Sequence, residues 1–230
     1  MKSVKYSLFF ILLLIFAMPL QGAAQKMAVI TKVRGDVQVR SSQEKNFKDK
    51  AAIGRILSDG DEIKTGKDAY VVLIFLDDKS QVKLLENCSM LVQGEKSGAG
   101  LDKELAMSHG KLKAEISAQR RGEFKIATPT SVASVKGTNF WVISDATTGD
   151  QIIGLSGLVE LLNLLSGEVT TVGANQTGNS SVDGEVNVNP TNPEDIPSDE
   201  GEGDGDQPSQ LRIEFQDANG NIKEIIIDYR

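Results

Sequence analysis

The 230-residue chain is predicted to be all-β. The expected architecture is a single sandwich or jelly-roll-like domain of short antiparallel strands, then a disordered acidic linker, then a C-terminal β-hairpin. Three observations predict it. Beyond residue 24 there is almost no helical period, and β-branched residues come in short runs. Gly and Asp turn signals break those runs at spacings typical of all-β folds. One local unit, Gly-x followed by an alternating strand, recurs at Gly35, Gly110, Gly157, Gly167 and Gly184. Its intervals are irregular, so it is a reused turn-to-strand solution rather than a solenoid repeat.

The N-terminus reads as an export signal and is set apart from the fold. Lys2 and Lys5 precede an unbroken apolar run from Leu8 to Met18, and Pro19 with Gly22, Ala23 and Ala24 follows. That run is shorter than the roughly 20 residues a spanning helix needs. Residues 1–24 are therefore expected to be a signal peptide, and the mature protein to be exported to the periplasm or the outside. The β domain is placed at 25–174. Within it "MAVITKV" (27–33), Arg34-Gly35-Asp36 and "VQVR" suggest a hairpin. "SSQEKNFKDK" (41–50) is a polar loop. Residues 58–85 alternate turn and strand, and Val71 to Leu76, apolar on both faces, is expected to be a central buried strand. "GEKSGAG" (94–100) reads as flexible. "KLKAEIS" and "EFKIATP" alternate, with Arg120-Arg121-Gly122 as a turn between them.

Residues 175–210 begin with Asn, Ser and Gly and become an acidic Pro/Gly tract that cannot bury enough apolar surface to fold, so they are read as the linker. In 211–230, Leu211, Ile213 and Phe215 alternate with polar residues. Asn219-Gly220 is a hairpin turn, and Ile225, Ile227 and Tyr229 line one face of the returning strand. A two-stranded hairpin is barely stable alone. Ile213, Phe215, Ile225, Ile227 and Tyr229 are thus candidate contact residues, either for the hairpin's own domain or for a partner protein.

Charge narrows the function classes. The net charge is −7, and nine acids with no base lie in 183–206. Without that tract and the two leader lysines, 23 bases face 23 acids, so the folded part has no general field for nucleic acid or anionic lipid. Arg120-Arg121 with Lys111 and Lys113 is a local basic cluster best explained as a solvated turn. The lone Cys88 cannot form an internal disulfide and is read as a small buried hydrophobe. One His and one Cys cannot build a zinc site. The oxygen-rich turns at 58–62, 77–80 and 217–221 do not spell a calcium loop, and no phosphate-binding Gly loop occurs. No metal and no cofactor are expected.

"TPTSVASVKGTNFWV" (128–142) is the stretch where chemistry would lie. Ser134 and Lys136, two apart, share a strand face, which is the spacing a serine hydrolase dyad would use. Such a dyad needs a desolvated lysine within hydrogen-bond reach, and no sequence feature supplies one. A triad would have to use His109, the sole histidine. His109 shares parity with Leu105 and Met107, which predicts a half-buried strand end. The alternative reading is geometric. Pro129 marks a strand end, Ser131 and Ser134 face opposite sides, and Gly137 and Thr138 form a turn or bulge. Phe140 and Val142 share a face and Trp141 takes the other, so one aromatic belongs to the core and the other to the surface or a second packing layer.

Taken in order, "VRGDVQVR", "GRILSDGDEIKTGKDAYVVLIFLDDKSQVKLL", "GKLKAEI", "FKIATPTSVASVKGTNFWV" and "GLVELLN" resemble the FecR domain, the exported all-β module of iron-citrate-type signal regulators. Gly60, Asp61, Ile63, Thr65 and Gly66 carry its first motif. Thr128, Pro129, Lys136, Gly137, Thr138 and Phe140 carry its last, with Lys136 where arginine is usual. The likeness covers residues 27–172. It implies a non-catalytic binding and signalling module of the cell envelope, with an envelope protein as partner. Regulators of this type place a cytoplasmic anti-sigma segment and a membrane helix before the domain, and here a signal peptide is expected in that place. A structural or assembly protein that oligomerises through β-edges is the alternative outside signalling.

Overall fold

The computed structural model describes residues 24–98, 100–119 and 121–199, and the backbone of two further strands at 209–216 and 222–229. It divides into two units, Met1–Thr191 and Asn192–Arg230. The first unit contains, in chain order, β1 (Lys26–Arg34), β2 (Val37–Arg40), β3 (Asp49–Lys50), β4 (Ile56–Ser58), β5 (Glu62–Thr65) and β6 (Tyr70–Phe75). Next come β7 (Gln81–Leu84), β8 (Ser89–Ser97), β9 (Gly100–Ile116), β10 (Phe124–Ala127), β11 (Ser131–Val135) and β12 (Thr138–Asp145). It closes with β13 (Gly149–Ser156), β14 (Leu158–Asn163), β15 (Val169–Gly173), β16 (Gln176–Ser180) and β17 (Val186–Pro190).

These strands form two rows that share β9. One row runs β4-β1-β6-β7-β9-β12-β13-β16-β17, and the other β3-β2-β5-β8-β9-β10-β11-β14-β15. Buried side chains of both rows meet in one hydrophobic core, among them Ile30, Phe75, Leu84, Phe140 and Val142 from the first and Ile63, Val92, Phe124 and Leu161 from the second. The all-β sandwich expected from the sequence is therefore the fold. β6 lies between β1 and β7 with Val71, Val72, Leu73 and Phe75 buried, as its two-sided apolar run requires.

Both arches from one row to the other and hairpins within a row join the strands. The hairpin expected at 27–40 is instead such an arch. β1 pairs with β4 and β6, whereas β2 pairs with β3 and β5 in the opposite row. Gly35 makes this turn at φ +74, and a Cβ there would lie 2.8 Å from the Cβ of Ala69. β9 is 17 residues long, not short. Its first part pairs with β8 and β10 and its last part with β7 and β12. The switch falls near Gly110, at φ +111, where a Cβ would stand 2.8 Å from Cys88 Cβ. Both sites need glycine, because φ is positive and a Cβ would overlap the neighbouring segment. All five glycines of the repeated unit have positive φ. "EFKIATP" follows the same logic. β10 does not turn back on "KLKAEIS" but lies parallel to the earlier half of β9, with Phe124 opposite Lys103.

Three further expectations change. Residues 94–97 are not a loose segment but the end of β8, paired with the start of β9 so that Ser97 lies opposite Gly100. The stretch assigned to the linker begins with structure. β16 pairs with β13 and β17, and Val186 and Val188 pack on the core. Alternation in "GEVNV" outweighs its polar neighbourhood, because the preceding strands offer an edge to pair with. His109 is exposed rather than half-buried. Ser89 faces His109 while Met90 faces Met107, so Ser108 is an extra residue and the parity shifts.

In the second unit, Pro193–Asp195 forms a 3-10 turn capped by Asn192. β18 (Ser209–Gln216) and β19 (Ile222–Tyr229) pair antiparallel, with Ile213 opposite Ile225 and Leu211 opposite Ile227. The hairpin is thus formed as its alternation predicts. Its Asn219-Gly220 turn, the side chains named as contacts, the signal-peptide reading over 1–23 and the tract at 200–208 lie outside the described residues. No helix among the described residues is long and apolar enough to cross a membrane.

Candidate functional site

The motif residues come together as two sets of turn contacts. In the first, Asp61 is buried and its carboxylate accepts from Ser58 N at 2.9 Å and Ser42 N at 3.2 Å. Gly60 turns at φ +82 against Ser42, and Ile63 is fully buried. Thr65 Oγ1 donates to Leu85 O at 2.6 Å and accepts from Cys88 N at 2.9 Å. Gly66 N donates to Asp36 O at 2.8 Å. Gly-Asp-x-Ile-x-Thr-Gly therefore fastens neighbouring arches: its carboxylate and hydroxyl satisfy backbone groups that no sheet ladder reaches.

In the second set, Thr128 Oγ1 accepts from Ser131 N at 2.9 Å and Thr130 N at 3.2 Å and bonds the Asp150 carboxylate. Pro129 is the corner between them. Ser131 Oγ donates to Asp150 Oδ2 at 2.6 Å, and the buried Asp150 Oδ1 has no hydrogen-bond partner among the described residues. Thr138 Oγ1 donates to Leu158 O at 2.9 Å. Gly137, at φ +143, packs against Ala118. Phe140 belongs to the core, while Trp141 lies on the opposite face and is only 1% exposed. Its cross-strand neighbours there are Lys113 and Ile153.

The residues weighed for catalysis are placed differently. Ser131 is buried and Ser134 half-buried on the other face, as their parity requires. Lys136 is exposed, and no hydrogen bond joins it to Ser134. Lys136 therefore does not form the desolvated, hydrogen-bonded partner that a Ser134–Lys136 dyad needs. Among the described residues, His109 Nδ1 meets only its neighbour Ser108 Oγ, at 3.0 Å. Burial pushes the Cys88 thiol up to about 12, so this cysteine is inert in the folded state. Lys113 pairs with Glu115 at 3.2 Å, and Arg120 lies outside the described residues. No three His, Cys, Asp or Glu side chains converge as metal ligands among the described residues.

One feature the sequence reading missed is Lys103. Its side chain is fully buried, and its Nζ pairs with Asp77 at 2.7 Å and Asp78 at 2.5 Å. It lies 5.6 Å from the ring centroids of both Phe75 and Phe124. Burial pushes Asp78 up, but bonds from Gln119, Lys103 and Ser80 outweigh it and hold the carboxyl below its usual range. Glu62 behaves alike: burial raises it, and Arg40 and Ser89 more than compensate. The signal for Lys103 was present in the alternation of "LDKELAM", which puts the lysine on the same strand face as Leu105 and Met107.

Two surface hollows flank this region. One, of about 520 Å³, is lined by Asp59, Glu95, Asp102, Glu104, Glu123 and Lys125 among others. The other, about 570 Å³, runs over β10, β11, β14 and β15 and is lined by Lys125, Ser134, Lys136, Leu158, Glu160 and Thr171 together with Phe124 and Val135. The second mixes charges of both signs with apolar floor and includes part of the 128–142 stretch. Ser134 stands there between its cross-strand neighbours Lys125 and Glu160.

Residues 61–170 match the family model described as FecR protein. No match was found among curated proteins. Among solved structures, two crystal structures titled "putative anti-sigma factor", from Parabacteroides distasonis ATCC 8503 at 2.50 Å and 1.65 Å resolution, are similar to the chain. Each is 16% identical and covers 57% of this chain and 60% of theirs, with TM-scores of 0.48 and 0.47.

Proposed function

We propose that this chain, which carries a FecR domain over residues 61–170, is an exported regulatory module that binds other proteins of the cell envelope and performs no catalysis. The family match carries this reading. The geometry supports it, because the motif hydroxyls and carboxylate are spent on arches: Asp61 and Thr65 on backbone groups, Thr128 on backbone groups and Asp150. The basic-apolar-small pattern of residues 1–24 supports export. The partner surface we assign is the C-terminal hairpin, whose Ile213, Phe215, Ile225, Ile227 and Tyr229 give it more apolar side chains than a lone hairpin keeps in water.

Deleting residues 207–230 tests the assignment. Crosslinking in the native envelope should recover a protein partner with the full chain and lose it with the deletion, while the unfolding midpoint of the rest is kept. Unchanged capture would refute the hairpin as the contact. Stoichiometric labelling of Ser134 by a serine-reactive probe in folded protein would refute the non-catalytic reading.

A further inference from the structure

The large exposed apolar residues of the first unit are not scattered. Among its described residues eight are exposed, and all but Leu76 lie at one of the two ends of the sandwich. At one end, Ile53 is 69% exposed and Ile56 44%. Ile53 is in the link that crosses from β3 to β4, the last strand of each row there. At the other end Leu158, Leu164, Leu165 and Val169 are 52–70% exposed and Val182 is 39%. They belong to β14, the turn into β15, the start of β15 and the turn into β17, and β15 and β17 are the last strands of each row. Both ends thus present open ladder edges beside apolar side chains. An edge of this kind pairs readily with another strand unless charge or proline blunts it. Val169–Gly173 at one end and Ile56–Ser58 at the other contain neither, whereas β3 is the charged pair Asp49–Lys50 and β17 ends on Pro190, so β15 and β4 are the open edges.

The two ends carry opposite charge. Residues 41–56 contain Lys45, Lys48, Lys50 and Arg55 against Glu44 and Asp49, a net of +2. Residues 158–190 contain Glu160, Glu168, Asp183 and Glu185 and no base, a net of −4. Like charges disfavour pairing an end with itself, whereas the two different ends attract.

We infer that the β15–β17 end of one copy docks on the β3–β4 end of the next, so the protein associates head to tail. The contact is heterologous: it leaves one free end of each kind at every step and builds open chains unless it closes into a ring. It does not depend on the hairpin's partner, and it can hold whether or not the domain serves in signalling.

Two variants of the full chain decide it. Ile53→Glu with Ile56→Glu should disable one end, and Leu165→Lys with Val169→Lys the other. All four residues are exposed, so thermal unfolding should not move, and sedimentation velocity reads the association. The wild type should grow in mass with concentration, in a salt-sensitive way. Each variant alone should stay monomeric. An equimolar mixture should form a 1:1 dimer through its two intact ends and stop there. A wild type that stays monomeric to millimolar concentration overturns the proposal. So does either variant self-associating alone, which would put the contact on a like-to-like face or on the C-terminal hairpin.

Discussion

Replacing Lys103 with methionine should destabilise the domain strongly at neutral pH and far less in acid. The lysine is the counter-charge for two carboxylates, at 2.7 and 2.5 Å, and its own side chain is fully buried. Methionine keeps most of the apolar stem between the Phe75 and Phe124 rings, so the loss is chiefly electrostatic. Removing one partner of a buried ion pair costs about 3–5 kcal/mol. The Asp77 side chain is 37% exposed and solvent screens it, so the lower end, about 3 kcal/mol, applies. For a domain of this size that lowers Tm by roughly 6–12 °C. The pH dependence has a definite sign. Asp78 is held below its usual range in the fold, so it contributes stability above the unfolded carboxylate value near about 4 and loses it as pH falls through the lowered folded value. In the variant the part of that depression supplied by Lys103 is gone, while the bonds from Gln119 and Ser80 remain, and protonating Asp78 relieves the uncompensated charge. The gap between wild type and variant should therefore narrow steadily below about pH 5. Trp141, the single tryptophan and a buried one, reports urea unfolding at each pH. Adding Asp78→Asn to Lys103→Met should recover a large part of the loss. A variant within 1 kcal/mol of wild type at neutral pH, or a gap unchanged by acid, would refute this account.

Thr128→Val should cost about 1–3 kcal/mol, because Ser131 N and the Asp150 carboxylate lose their shared partner; Thr128→Ser should restore most of it, as measured by the denaturant midpoint. Cys88 should resist thiol reagents at mildly alkaline pH in the folded state, since burial pushes its thiol up to about 12. It should react fully once unfolded. Fast labelling of the native protein would contradict the packing at the β7–β8 arch.

The share of the fold legible in the sequence follows from what each residue decides locally. The alternation of "VQVR", the two-sided run at Val71–Leu76 and the glycines before each strand encode strand, face and turn directly, because backbone sterics and a period of two act over a few residues. Arch against hairpin is not encoded in that way. Gly35 makes a turn in either case. Only the Ala69 backbone and side chain packed against it show that β1 and β2 go to different rows. The candidate site was partly legible for the same reason. Thr128, Pro129 and Gly137 read as a corner, but Asp150, the acceptor of two hydroxyls, is some twenty residues on and carried no local mark. Lys103 sat on an apolar face, yet its acids at 77 and 78 come from a different strand pair.

By itself, then, the sequence determined strand content, the positions of turns and the acidic C-terminal region. Tertiary structure alone decided which strands are neighbours, where the parity slips at Ser108, and which apolar side chains are left at the two ends of the sandwich. The physical reason is range. Dihedral preference and side-chain alternation are short-range properties of the chain, whereas edge, layer and counter-charge exist only after distant segments have packed together.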